Sequence, residues 1–114
     1  MQPRIADVER VKKQVRKLAA GKVLSGDAAD VCLELASMEG CQVRIAAGYG
    51  QLSKAPEPIP HDQFIWLLDG YAEIHTGSGA QTRISQGEST VLRGGEKVRL
   101  VFPQLTLYLL VEPA

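Results

Sequence analysis

Side chains able to do chemistry are sparse in this sequence. It holds two histidines, His61 and His75, and two cysteines, Cys32 and Cys41. His61 stands two residues before Gln63, which puts both on one face of any strand that includes them. A histidine there could act as a hydrogen-bonding group or general base of a pocket, or sit partly exposed at a strand entry. Tyr108 shares a strand face with Thr106 and Leu110. A buried tyrosine hydroxyl needs a partner, so Tyr108 could also line a pocket. Arg93 opens a glycine turn, where it could hold an anionic ligand bidentately or remain solvated. Tyr49 and Glu96 are the other polar candidates, and a charge in a turn such as that of Glu96 usually only aids solubility. His75 adjoins the turn Thr76-Gly77-Ser78 and is expected at the surface. The sequence has no Ser/His/Asp arrangement, phosphate-cradling glycine loop or nucleic-acid motif.

The element that must position these groups is Gln63-Phe64-Ile65-Trp66-Leu67-Leu68-Asp69-Gly70. Its apolar run is too short for an independent helix and reads as a strand buried on both faces. Gln63, Ile65 and Leu67 share one face, and Phe64, Trp66 and Leu68 share the other. One face should line a barrel interior. The other should meet a second layer or another subunit, so a homodimer is expected around Phe64, Trp66 and Leu68.

Upstream, residues 3–20 read as a helix. Ile5, Val8, Val11, Val15 and Leu18 recur at spacings of three and four. Pro3 suits the first turn and Gly21 the C-terminal cap. From Val23 the pattern becomes strands, dividing the chain into a helix over residues 1–22 and a β-unit over 23–114. Val31–Ala36 and Cys41–Ala47 form a hairpin. Pairing Leu35 with Cys41, Leu33 with Val43 and Val31 with Ile45 collects the apolar residues on one face, leaving Cys32, Glu34, Gln42 and Arg44 on the other. That register points Cys32 and Cys41 apart, so they cannot bridge. Both read as small packing residues, and free thiols suit a reducing compartment. Pro56, Pro58 and Pro60 make residues 51–61 an edge or stiff loop. Short strands then follow at Tyr71–Thr76, Ala80–Ile84, Ser89–Leu92, Lys97–Phe102 and Leu105–Val111. This spacing predicts an all-β sandwich or small barrel.

The chain has 114 residues, 45% hydrophobic and 23% charged, which fits one globular domain. No apolar run approaches the roughly 20 residues of a membrane span. A cytoplasmic location is the default expectation. The net charge is zero but unevenly spread: residues 1–22 hold seven Lys/Arg against two acidic residues. A basic helix with a solvated face, lying on an acidic barrel, accounts for this. No aromatic residue is interleaved with the basic ones, so neither nucleic acid nor membrane is expected as a partner.

The glycines carry a resemblance. Gly50, five residues, Pro56-x-Pro58, four residues, Gln63, six residues and Gly70 follow one motif frame. Gly87, five residues, Arg93-x-Gly95, two residues, Val98, three residues and Phe102 follow a second. Across residues 31–111 the sequence resembles a single-domain member of the cupin superfamily. The resemblance implies an antiparallel jelly-roll β-barrel carrying one N-terminal helix. It also implies metal-ligand positions, which here fall on Pro56, Pro58, Gln63 and Val98. Proline and valine offer no donor, and glutamine only a weak one, so neither metal nor other cofactor is expected. The interior residues Ile65, Leu67, Val98, Leu100 and Phe102 are bulky. A small organic ligand oriented by His61, Gln63 and Tyr108, with Arg93 at the rim, is the function expected. The alternatives are a cupin-type enzyme (a metal-free sugar epimerase, or metal-dependent through His61) and a structural protein with a filled barrel.

Overall fold

The computed structural model describes residues 5–114. One helix, α1 (Val8–Leu24), precedes eight strands: β1 (Ala29–Met38), β2 (Cys41–Gln51), β3 (Glu57–Pro58), β4 (Gln63–Asp69), β5 (Tyr71–Thr76), β6 (Gln81–Ser85), β7 (Ser89–Leu92) and β8 (Lys97–Pro113). All strand pairings are antiparallel. The expected jelly-roll barrel with one N-terminal helix is the architecture observed.

The helix begins and ends later than its periodicity predicts. Asp7 is the N-cap, its carboxylate accepting from the Arg10 N–H at 3.0 Å. Pro3, expected in the first turn, lies outside the described residues. Gly21 is an interior residue rather than the cap, and its carbonyl accepts from the Ser25 N–H. A glycine costs a helix about 1 kcal/mol relative to alanine. Packing decides the matter: Val11, Val15 and Ala19 are buried on the outer face of the sheet against Ala29, Ile45, Ala47 and Leu107. Each such valine contributes roughly 1.5–3 kcal/mol on full burial. The outlying members of the predicted stripe, Ile5, Val8 and Leu18, stay exposed.

The β1–β2 hairpin is displaced by two residues from the expected register. Leu33 faces Ile45, Val31 faces Ala47, and the turn closes with Met38 opposite Cys41. A two-residue slip leaves each side chain on its face, and a bulge at Leu35 absorbs the odd residue. The apolar face of the hairpin turns outward, under α1. Its polar face turns into the barrel.

Two strand sets share β8. One runs β1-β2-β8-β4-β7, and in the other β8 pairs with β5 and β3, with β6 beyond β5. Lys97–Val101 serves the second set and Thr106–Pro113 the first, while Val101 and Phe102 also pair with Gln51 and Gly50 at the end of β2. Two glycines seat the corner between them. A Cβ on Gly48 would lie 2.6 Å from Cδ2 and Cζ of the Phe102 ring. Gly70 has φ of +92° and faces Thr106, whose Oγ1 would be 2.6 Å from an added Cβ. The Thr106 hydroxyl is shared between the carbonyls of Tyr71 at 2.9 Å and Gln104 at 3.0 Å. The four glycines of the sequence frame, at 50, 70, 87 and 95, all have positive φ.

Strand β4 is not buried on both faces. Ile65 and Leu67 enter the barrel core with Ala72, Ile74, Ile84 and Phe102. Leu68 is half-buried and packs toward the helix-side cluster. Phe64 and Trp66 are 36% and 44% exposed, because α1 packs on β1, β2 and part of β8 and stops short of them.

Gly48→Ala should lower unfolding stability by about 1–3 kcal/mol, the usual cost of overpacking a core. Adding Phe102→Leu should recover part of that loss. Urea unfolding of both variants measures it, and an unchanged stability for Gly48→Ala would refute the close approach.

Candidate functional site

Between the two strand sets lies a cavity of about 470 Å³. Its apolar wall includes Ala46, Ile65, Leu92, Val98, Phe102 and Leu110. Its polar wall comes from the inward faces of β1, β2 and the second half of β8. Asp30 and Cys32 project from β1, Arg44 from β2, and Tyr108 and Glu112 from β8, with Gln63 at the start of β4. Ladder register explains their proximity. Cys32, Ala46 and Tyr108 form one row across three strands. Asp30, Gly48 and Thr106 form the next, and Gly48 contributes no side chain to it.

Arg44 is the electrostatic centre of this wall. One guanidinium nitrogen donates to Glu112 at 2.6 Å and the other to the Gln42 amide oxygen. The Glu112 side chain is only 11% exposed. Its second oxygen lies 3.5 Å from Nε2 of His61, so one carboxylate joins the guanidinium and the imidazole. Tyr108 is buried, with its ring stacked on Phe102 at 5.5 Å between centroids. Burial and the neighbouring Asp30 carboxylate push its hydroxyl well above the usual tyrosine range. The Asp30 carboxyl is also pushed up, first by desolvation. A hydrogen-bonding interaction with Tyr108 and the charge of Lys22 oppose that shift.

The sequence candidates separate into groups. Gln63 and Tyr108 line the cavity, as expected. His61 reaches its edge through Glu112. Arg93 does not join it: the side chain is exposed and turns to Asp62 at 3.5 Å. Asp62 accepts from the Gly94 N–H at 2.8 Å, which ties the β7–β8 turn to the start of β4 and takes Arg93 with it. His75 is not the surface residue expected, for its side chain is only 13% exposed. Arg99 Nη2 lies 3.2 Å from its Nδ1, and arginine only donates. Nδ1 therefore accepts and Nε2–H donates to Glu73 at 3.0 Å. Arg99 also donates to the carbonyls of Ser53 and Lys54, drawing the proline-rich connection over His75.

Five charged cavity residues escaped the sequence reading: Asp30, Arg44, Glu57, Arg99 and Glu112. The hairpin pattern did set Arg44 and Cys32 together on one face. What it lacked was a reason to turn that face inward. Cys32 lines the cavity instead of serving as packing, while Cys41 is half-buried at the hairpin end. Neither is paired.

The residues at the cupin metal positions do not fit a metal. Val98 is buried in apolar contact, Pro58 pairs with Lys97 on the barrel wall, and Gln63 offers one amide. Among the described residues no three His, Cys, Asp or Glu side chains converge on a common point. Among them, too, no helix is long and apolar enough to cross a membrane.

No protein-family model matches this sequence, and no curated protein sequence does so. Solved structures do match by fold. A cupin-2 domain protein from Shewanella frigidimarina aligns over 89% of this chain and 98% of its own, with a TM-score of 0.68 and 14% identity. A cupin superfamily protein from Desulfitobacterium hafniense aligns over 75% and 77%, at 0.61 and 13%. The polyketide cyclase RemF from Streptomyces resistomycificus aligns over 75% and 66%, at 0.64 and 18%. The chain has the cupin fold.

Asp30 supplies a pH signature. Its folded value lies above the ordinary 3.8, so the folded state holds that proton more tightly than the unfolded chain does. The resulting stability is complete below 3.8 and is lost as pH rises through the folded value. Asp30→Asn should therefore gain stability relative to the parent as pH rises toward neutrality. Paired chemical denaturation series from pH 3 to 7 would show a widening difference; a constant one would refute the assignment.

Proposed function

We propose that this chain is a small-molecule-binding or regulatory module built on a metal-free cupin barrel. The observation that carries this reading is the cavity itself. A barrel filled with side chains would leave no such space, and this one sets an apolar wall against a strongly polar one, which can both hold and orient a small ligand. Gln63 and Tyr108 border the ligand space, and His61 acts from the edge by holding Glu112. The two unpaired thiols favour the cytoplasm. No nucleic-acid or membrane role is assigned to the basic helix, whose apolar face is occupied by the protein's own sheet.

The same reading includes a homodimer. Phe64 pairs with Val91 on one side and Val111 on the other, and Trp66 pairs with Leu109. These residues continue the apolar outer face beyond the edge of α1, and Phe64, Trp66 and Val91 are exposed in the single chain. A second copy laid on this face would cover them.

Native mass spectrometry of gently purified protein tests both halves. The expected spectrum shows a dimer carrying a small organic adduct. Bare protein in every preparation, together with no small molecule that shifts the amide resonances of Ala46, Leu92 or Val98, would overturn the binding role. Trp66→Lys should convert the dimer to monomer at tens of micromolar by light scattering. A monomeric parent would end the dimer proposal.

A further inference from the structure

Resting on the binding role just described, we infer that the cavity selects a small organic amine, its ammonium group held by Asp30 beside the Tyr108 ring and its apolar body against Ile65, Leu92 and Val98. Charge distribution leads to this assignment. Three carboxylates line the cavity, Asp30, Glu57 and Glu112, against two guanidiniums, Arg44 and Arg99. Both guanidiniums are already engaged by protein. Arg44 is held by Glu112 and Gln42. Arg99 spends its terminal nitrogens on Ser53, Lys54 and His75, and its Nε is enclosed out of reach of solvent. Arg99 makes no ion pair among the described residues, but its terminal nitrogens are bonded to protein acceptors, so an anionic ligand would compete with bonds already made.

Asp30 is in the opposite condition. It makes no ion pair among the described residues, whereas Glu112 is bridged to Arg44 and His61. Lys22 acts on it only through its charge, and Tyr108 only through its hydroxyl. Asp30 is exposed as a residue, yet its carboxyl is partly desolvated without a full counter-charge, and this raises its proton affinity. A ligand ammonium would supply that counter-charge at close range. The stacked Tyr108 and Phe102 rings stand at the same place, and aromatic faces attract cations. Gly48, between Asp30 and Thr106 in the ladder, makes room for the Phe102 ring, which brings that ring into the same ladder row as the carboxylate. Apart from Ser53 and Gln63, the remaining lining has no polar side chain that a hydrocarbon body would displace from water.

Four probes of one shape separate charge from apolar fit: benzylamine, benzyl alcohol, benzoate and toluene, each titrated into the isotope-labelled full chain at neutral pH. Benzylamine should shift the amides of Ala46, Leu92 and Val98 and bind more tightly than the other three. Asp30→Asn, which keeps the shape of the side chain, should weaken benzylamine about tenfold or more, the loss expected for a charge-assisted hydrogen bond. It should leave toluene unchanged. A Glu34→Gln variant, altered on the same strand at an exposed position outside the cavity, should retain benzylamine and so control for disturbance of β1. Benzoate binding as tightly as benzylamine, benzyl alcohol doing so, or Asp30→Asn binding benzylamine like the parent would each overturn the amine assignment while leaving a binding cavity. If no probe shifts any cavity amide, the amine assignment and the binding role fall together.

Discussion

One strand has to serve both halves of the barrel, and the corner it turns governs everything else. β8 pairs with β5 through its first half, with β4 through its second, and with β2 on both sides of the corner. Between them Phe102 lies on Gly48 and Thr106 on Gly70. A side chain at either glycine would occupy space already filled by ring or hydroxyl atoms, so the corner closes only over bare backbone. Phe102 then stacks on Tyr108 and carries the corner into the cavity wall. The structural core and the candidate site thus meet in one aromatic pair.

The second organising feature is an inversion of the usual arrangement. In a two-layer protein the apolar face of a hairpin commonly faces the main core. Here the apolar face of β1–β2 receives the helix on the outside, while Asp30, Cys32 and Arg44 look inward. Arg44 and Glu112 can occupy that interior because each satisfies the other. Arg44, Glu112, Gln42 and His61 form one connected set, and a buried charge without such partners would be severely destabilising. Asp30 alone of the β1–β2 wall remains without a cation in contact, which gives the cavity its polarity.

The helix plays a covering role and a limited electrostatic one. Arg16 reaches Asp69 at the end of β4 at 2.9 Å, with both side chains about half exposed. Such a pair contributes roughly 0–1 kcal/mol, less than the burial of Val15 alone. The basic character of the helix therefore does little to hold it in place. Its reach matters more: it covers β1, β2 and part of β8, and leaves Phe64, Trp66 and Val91 in solvent.

Much of the architecture is legible in the sequence. Alternation over residues 63–69 set Ile65 and Leu67 inward and Phe64 and Trp66 outward, because side-chain direction along a strand is a local property. Glycine spacing located the turns, since positive φ is also a local demand. The hairpin faces survived a two-residue error in register because period-two alternation is unchanged by it. Tertiary structure alone decided which face of that hairpin turned inward, since this depends on where a distant helix docks. It alone sent Arg93 to Asp62 and away from the cavity, and buried His75 under Arg99, for those partners lie far apart in sequence. Asp30, Arg44 and Glu112 became one wall only when β1, β2 and β8 were laid side by side. Local sequence determines direction and turn, whereas a site assembled across three strands exists only after the chain has closed.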